Sequence, residues 1–245
     1  LYKAVKDLYP DEQLVIKHSI SGGKYCEFEN PSFEVTAKVA EEIEKRMHEL
    51  VEANLPFERK ELPTQEAVAL YEKEGLMAKK SLIEDRNYLY TSVYSLDNCI
   101  NYFYGCLVPS TGYLKLFALK PYESGLLLNT PSRHHPNKLS NIYKSPKLFS
   151  IFNEYKNWNK VLGISYVSDI NHLIQSGHSK EMILVSEALQ EKKITQIADK
   201  IAAKGDVKIV LLSGPSSSGK TTTSKRVSVQ LGVLGYNPIP ISMDN

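Results

Sequence analysis

One stretch near the end of the chain restricts its folding more than any other. An apolar run, Val207-Lys208-Ile209-Val210-Leu211-Leu212, precedes Gly214-Pro215-Ser216-Ser217-Ser218-Gly219-Lys220-Thr221-Thr222, and an apolar-periodic segment then continues to Leu234. The middle piece fits G-x-x-x-x-G-K-[ST] in full. A short β-branched and aliphatic run predicts a buried parallel strand. Thr222 to Leu234 predicts a helix, with Val227, Val229 or Gln230, Leu231 and Leu234 on one side. Strand, glycine-bounded loop and helix start together form a phosphate cradle, because backbone N–H groups and the positive end of the helix converge on an anion. In that reading Gly214, Ser216, Ser217, Ser218, Gly219, Lys220, Thr221 and Thr222 line the phosphates of ATP. Lys220 reaches the β- and γ-phosphates and the Thr221 hydroxyl ligates Mg²⁺.

The rest of the composition excludes more than it selects. The 245 residues carry 30 basic and 28 acidic side chains, a net charge of +2, so there is no polycationic surface to argue for nucleic acid. No apolar stretch approaches the roughly 20 residues of a membrane helix, and no signal-peptide pattern is read. Cys26, Cys99 and Cys106 are odd in number and lack CxxC spacing, which fits a reducing compartment and a cytoplasmic location. Leu1 and Asn245 read as the ends of a piece of something longer.

The chain divides into residues 1–150, with an α+β pattern, a mainly helical connector at 151–205, and 206–245, where an α/β domain begins. Thr36 to Asn54 predicts an amphipathic helix with Val39, Ile43, Met47, Leu50 and Val51 on one face. A shorter helix is capped by Thr64, carries Ala67, Val68 and Tyr71, and stops at Gly75. Strands are expected at Tyr88 to Tyr94, Tyr113 to Leu119 and Leu126 to Asn129, with turns at Pro109 to Gly112 and Pro121 to Gly125. Thr130 to Lys147 reads as a basic loop, and Arg133-His134-His135 either as a solvated cluster, as charge runs usually are, or as an anion site. Ile194, Ile197, Ala198 and Ile201 mark a helix leading into the strand at Val207.

No two of the six histidines stand four apart, so the chain contains no H-x-x-x-H face for zinc. Four residues after each cysteine stand Asn30, Phe103 and Ser110, so no C-x-x-x-H pair exists either.

Three stretches carry a resemblance to a known family. They are Ala4-Val5-Lys6-Asp7-Leu8-Tyr9-Pro10, Ile20-Ser21-Gly22-Gly23-Lys24-Tyr25-Cys26-Glu27 and Ile43-Glu44-Lys45-Arg46-Met47-His48-Glu49-Leu50, joined later by Val108-Pro109. Leu1 to about Lys147 resembles the second, editing-associated domain of threonyl-tRNA synthetases. In that family a Cys-x-x-x-His element precedes the Val-Pro. Here its two positions are Phe103 and Leu107, so the resemblance implies a domain that does not hydrolyse mischarged tRNA by the family's route. It places the family's H-x-x-x-H element ahead of Leu1.

Gly214 to Thr223, followed by Ile239-Pro240-Ile241-Ser242-Met243-Asp244-Asn245, resembles the uridine kinase and phosphoribulokinase group of P-loop kinases. That resemblance implies a strand ending at Asp244, with Asp244 as general base and Lys220 as the second catalytic group. The combination predicts a uridine kinase-like nucleoside kinase, with a nucleoside as the small-molecule acceptor. The alternatives are a kinase of another sugar or sugar phosphate, a nucleotide-regulated tRNA- or RNA-binding protein with a degenerate editing domain, and an editing protein with an auxiliary P-loop. The 15 tyrosines are compatible with base stacking.

Overall fold

A computed structural model describes residues 1–242, and its elements cluster into two compact units. The first is Leu1–Val161 with Ser165–Ser168; the second is Leu162–Ile164 with the residues from Asp169 onward.

The first unit opens with helix α1 (Tyr2–Leu8) and a hairpin of β1 (Leu14–Ile20) and β2 (Gly23–Phe28). The hairpin closes through Ser21 and Gly22, both left-handed at φ 55° and 83°, the backbone that a tight two-residue turn requires. Helix α2 (Ala37–Glu52) follows, and the Thr36 side chain caps it by accepting from the Val39 N–H. Next come β3 (Glu58–Pro63), α3 (Thr64–Lys73), α4 (Met77–Glu84), β4 (Tyr90–Leu96) and β5 (Cys99–Asn101). The unit ends with β6 (Ala118–Tyr122), β7 (Gly125–Asn129), a small hairpin of β8 (Pro131–Ser132) and β9 (His135–Leu139), and α5 (Pro146–Val161).

The main sheet has four antiparallel strands in the order β1-β2-β7-β6. Tyr25 faces Leu127 across the ladder and Cys26 faces Leu126. Because side chains alternate along a strand, these two pairs enter opposite faces. Cys26 and Leu126 join Ile43, Met47 and Leu50 of α2 and Val5 of α1 in one core. Tyr25 and Leu127 join Ile20 and Phe149 of α5 in another. The sheet is therefore buried on both sides. A second sheet, β3-β4-β5, packs Val93 against Ala67, Tyr71 and Ile83 of α3 and α4.

Several expectations are corrected. Thr64 does not cap α3: its hydroxyl donates to the Tyr88 carbonyl and meets Thr91, and Pro63 stands at the cap. The strand expected over Tyr113 to Leu119 starts only at Ala118, because Leu114 and Leu116 face solvent and the ladder to β7 begins with Ala118 opposite Asn129. Thr130 to Lys147 is no simple loop but contains the β8–β9 hairpin, which leaves Arg133 and His134 exposed in its turn. Helix α5 belongs with the first unit, against the expected break at residue 150, since Phe149 and Phe152 sit in its second core.

The second unit contains most of α6 (Val167–Gln175), the whole of α7 (Ser179–Ala203) and α8 (Lys220–Val233). Ile194 and Ala198 of α7 and Leu231 of α8 are buried, and Glu191 accepts from Gln230 at 2.7 Å and pairs with Arg226 at 3.3 Å. Among the described residues the expected strand at Val207 to Leu212 is not formed: Ile209 is 78% and Leu211 83% exposed, and no ladder there includes them. Residues 238–242 likewise belong to no strand among the described residues. A strand exists only through the partner that satisfies its N–H and C=O groups. The two stretches do not pair with each other or with another described strand, so the start of a doubly wound kinase sheet is not seen.

Candidate functional site

Two places carry chemistry. In the second unit, the loop from Gly214 to Gly219 leads directly into α8. Gly219 is the N-cap with φ 78°, Ser217 is also left-handed at φ 58°, and no side chain caps the first turn. The N–H groups of Lys220, Thr221 and Thr222 are therefore the uncapped donors of a fourteen-residue helix. The loop is drawn tight: a Cβ at Gly214 would lie 2.7 Å from the Ser218 hydroxyl. The Lys220 ammonium donates to the Pro215 carbonyl at 3.0 Å, folded back over the loop. Ser216, Ser217, Ser218, Thr221 and Thr222 are exposed. The residues expected around a phosphate are thus brought together on one helix end. Asp244 lies outside the described residues.

In the first unit, the place of the synthetase-like C-x-x-x-H element is the connection 102–109. Its start is fixed by the Tyr102 N–H donating to Asn101 Oδ1 at 2.8 Å. Its end is fixed by the Phe57 N–H donating to the Pro109 carbonyl at 2.9 Å, and Thr111 beyond it binds the Leu50 carbonyl. Phe103 stands edge-on to Tyr94 at 6.0 Å, and Tyr94 Oη donates to the Gly105 carbonyl at 2.6 Å. Phe103 and Leu107 offer no nucleophile, base or metal ligand. Cys106, one position before Leu107, is a free exposed thiol. No cluster of three His, Cys, Asp or Glu that could hold a metal exists among the described residues. Serine-charged threonine tRNA should accordingly be deacylated only at the background rate. A rate well above background in a time course of released serine would place a hydrolytic group here.

Sequence reading missed the neighbours of this connection. Arg86, just after α4, lies against Tyr102 and Tyr104. Lys79 of α4 donates to Asn101 Oδ1 and sits 5.1 Å from the centre of the Tyr2 ring. Burial pushes the Lys79 ammonium down to about 8, with Cys99 only partly opposing the shift. The aromatic run Tyr102-Phe103-Tyr104 was the available signal for the first group; nothing local marked the second.

About half of the chain is homologous to threonine–tRNA ligases. It is 40% identical over 117 residues to that of Syntrophotalea carbinolica, covering 47% of this chain and 18% of the relative. The match to the Clostridium tetani enzyme is 38% over 120 residues, covering 49% and 19%. The Acidithiobacillus ferrooxidans enzyme gives 38% over 122 residues, again 49% and 19%. The chain thus spans about a fifth of the length of the curated relatives it matches. No family model matches the chain. These relatives overturn the expectation of a uridine or nucleoside kinase-like transferase, since they are ligases, and the sheet that a kinase needs is not formed by residues 207–242. No helix among the described residues is long and apolar enough to cross a membrane.

Proposed function

We propose that this chain is a nucleotide-regulated RNA-binding protein whose synthetase-like unit holds tRNA without editing it. The observation that carries this is the kinship of about half of the chain to threonine–tRNA ligases, combined with Phe103 and Leu107 where hydrolytic chemistry would need a cysteine and a histidine. The P-loop is the nucleotide site in this reading. Its residues fit a phosphate group: a glycine-tight loop, an uncapped helix N-terminus and a lysine that donates to a loop carbonyl. Gly214, Ser216, Ser217, Ser218, Gly219 and Thr222 would surround the phosphates of ATP, Lys220 would neutralise them, and Thr221 would hold Mg²⁺. Bound there, the nucleotide would supply charge neutralisation and order to the loop, and would bias the affinity for RNA.

Threonine tRNA binding, measured with and without ATP and Mg²⁺, tests this. Coupling of the usual size would change tRNA affinity about 5- to 150-fold. Lys220→Ala should weaken ATP binding at least tenfold, because a charge-assisted contact to phosphate is gone, and should abolish the nucleotide effect on tRNA. A wild-type chain that binds no tRNA, or binds it equally with and without ATP, overturns the reading.

A further inference from the structure

The connection that lost the family's cysteine and histidine carries an arrangement with a chemistry of its own. Arg86 Nη1 donates to the Tyr102 hydroxyl, and Nη2 donates to the Tyr104 hydroxyl at 3.2 Å. The guanidinium carbon lies 5.5 Å from the Tyr102 ring centre and 5.0 Å from that of Tyr104. The two rings meet edge to face at 6.0 Å and 81°. Tyr102 is rooted in the core formed by Tyr71, Ile83 and Val93. Tyr104 is 82% exposed. One ring therefore anchors the arginine while the other presents an open face to solvent.

Among the described residues the contacts of the Arg86 guanidinium are with the two phenol groups, which leave its positive charge in place to attract an anion. Two more tyrosines, Tyr88 and Tyr90, each 63% exposed, follow Arg86 on the way into β4. Exposed planar rings beside a guanidinium make the kind of apolar surface patch that marks a binding site. They suit a ligand that is flat, aromatic and negatively charged. Unpaired nucleotides combine those properties: the base stacks on a tyrosine or guanidinium plane while its phosphate meets the cation. A duplex buries its base faces and cannot use the platform.

We propose that Arg86, Tyr102 and Tyr104 form a stacking platform for an unpaired RNA base, anchored by Tyr102 and presented by Tyr104. This rests on the RNA-binding reading above and names the form of RNA that the first unit prefers.

Fluorescence anisotropy with a labelled eight-nucleotide single-stranded RNA, and with the same strand in a duplex, tests the platform. Tyr104→Ala should weaken single-strand binding at least tenfold and leave duplex binding unchanged. Tyr104→Phe should bind nearly as wild type, because the ring is kept. Arg86→Lys should lose several-fold, since the charge stays but the planar stacking surface does not. Tyr143→Ala, at a ring also 61% exposed, should change nothing. Equal single-strand affinity in Tyr104→Ala and wild type, or equal losses on single strand and duplex, would overturn the platform. A wild type that binds threonine tRNA but not the single strand would sink the platform alone. A wild type that binds neither would sink the RNA reading with it.

Discussion

Asp7→Ala should cost the first unit about 2–4 kcal/mol, a loss readable by urea titration at pH 7. Asp7 ties α1 to α2: it accepts from Lys3 Nζ at 2.6 Å and from Arg46 Nε and Nη2 at 3.0 and 2.8 Å. The Lys3 side chain is only 6% exposed, so removing Asp7 leaves a largely desolvated ammonium with only the exposed Asp97 at 3.1 Å and the neutral Asn98 Oδ1 at 2.7 Å among the described residues. Arg46 keeps Glu49 on the surface. Asp97, 61% exposed, is screened by water, and Asp97→Ala should cost far less than Asp7→Ala. The pH dependence has a definite sign. Burial alone would raise the Asp7 carboxyl, but hydrogen bonds from Lys3 and Arg46 outweigh it and hold it below its ordinary value of 3.8. Its contribution is therefore complete above pH 3.8 and lost as pH falls through the lower folded value. The difference between Asp7→Ala and wild type should shrink in that acid range. A constant difference down to pH 2 would show that packing, not charge, accounts for the loss.

The opposite result is expected at Lys79, where Lys79→Met should stabilise the unit. Holding an ammonium whose pKa has fallen from 10.5 to about 8 costs the folded state on the order of 3 kcal/mol. Loss of the contact with the Tyr2 ring reduces the net gain to about 1–2 kcal/mol. Asn101 Oδ1 is not orphaned by the change, because it also accepts from the Tyr102 N–H at 2.8 Å. Below pH 8 the lysine is charged in both folded and unfolded states, and the penalty is fully present. Between 8 and 10.5 the unfolded chain binds more protons, so wild-type stability rises with pH relative to Lys79→Met. The gap should close by pH 10.5 in paired denaturation curves. A Lys79→Met chain less stable than wild type at pH 7 would mean that the ammonium is net stabilising.

Legibility in the sequence followed the strength of local signals. Helix α2 was readable because Thr36 caps it and Ile43, Met47 and Leu50 recur at helical spacing; all three are buried. Strand β1 was missed, since the bulge between Ile16 and His18 breaks its period of two. Strand β3 was missed because it is an edge strand reading Glu-Arg-Lys-Glu-Leu-Pro, charged as exposed edges are. Val207 to Leu212 shows the converse error: its composition is that of a strand, but pairing is not a property of one segment. The glycine–lysine motif predicts a phosphate cradle, and Gly219 and Lys220 do stand at the start of α8, yet the motif carries no information about which reaction, if any, follows binding. Arg86 and Tyr104 stand 18 positions apart, and only the return of β5 beside α4 brings them into contact. No window of local sequence could have joined them.

Helix α5 also decides what can be transplanted. It seals the sheet face opposite α2 with Phe149, stacks Phe152 on His18 at 3.8 Å, and sets Lys156 against Glu27 at 2.6 Å. Its sequence lies outside the stretches quoted for the synthetase resemblance, yet Tyr25 and Leu127 owe their dryness to it. A protein engineer borrowing this sheet as a cassette would have to cut after Val161. A cut at the β8–β9 hairpin would hand on an oily face and a Glu27 carboxylate without its Lys156 partner. The portable module is therefore longer than kinship alone would mark out, with a lid that travels as part of the cargo.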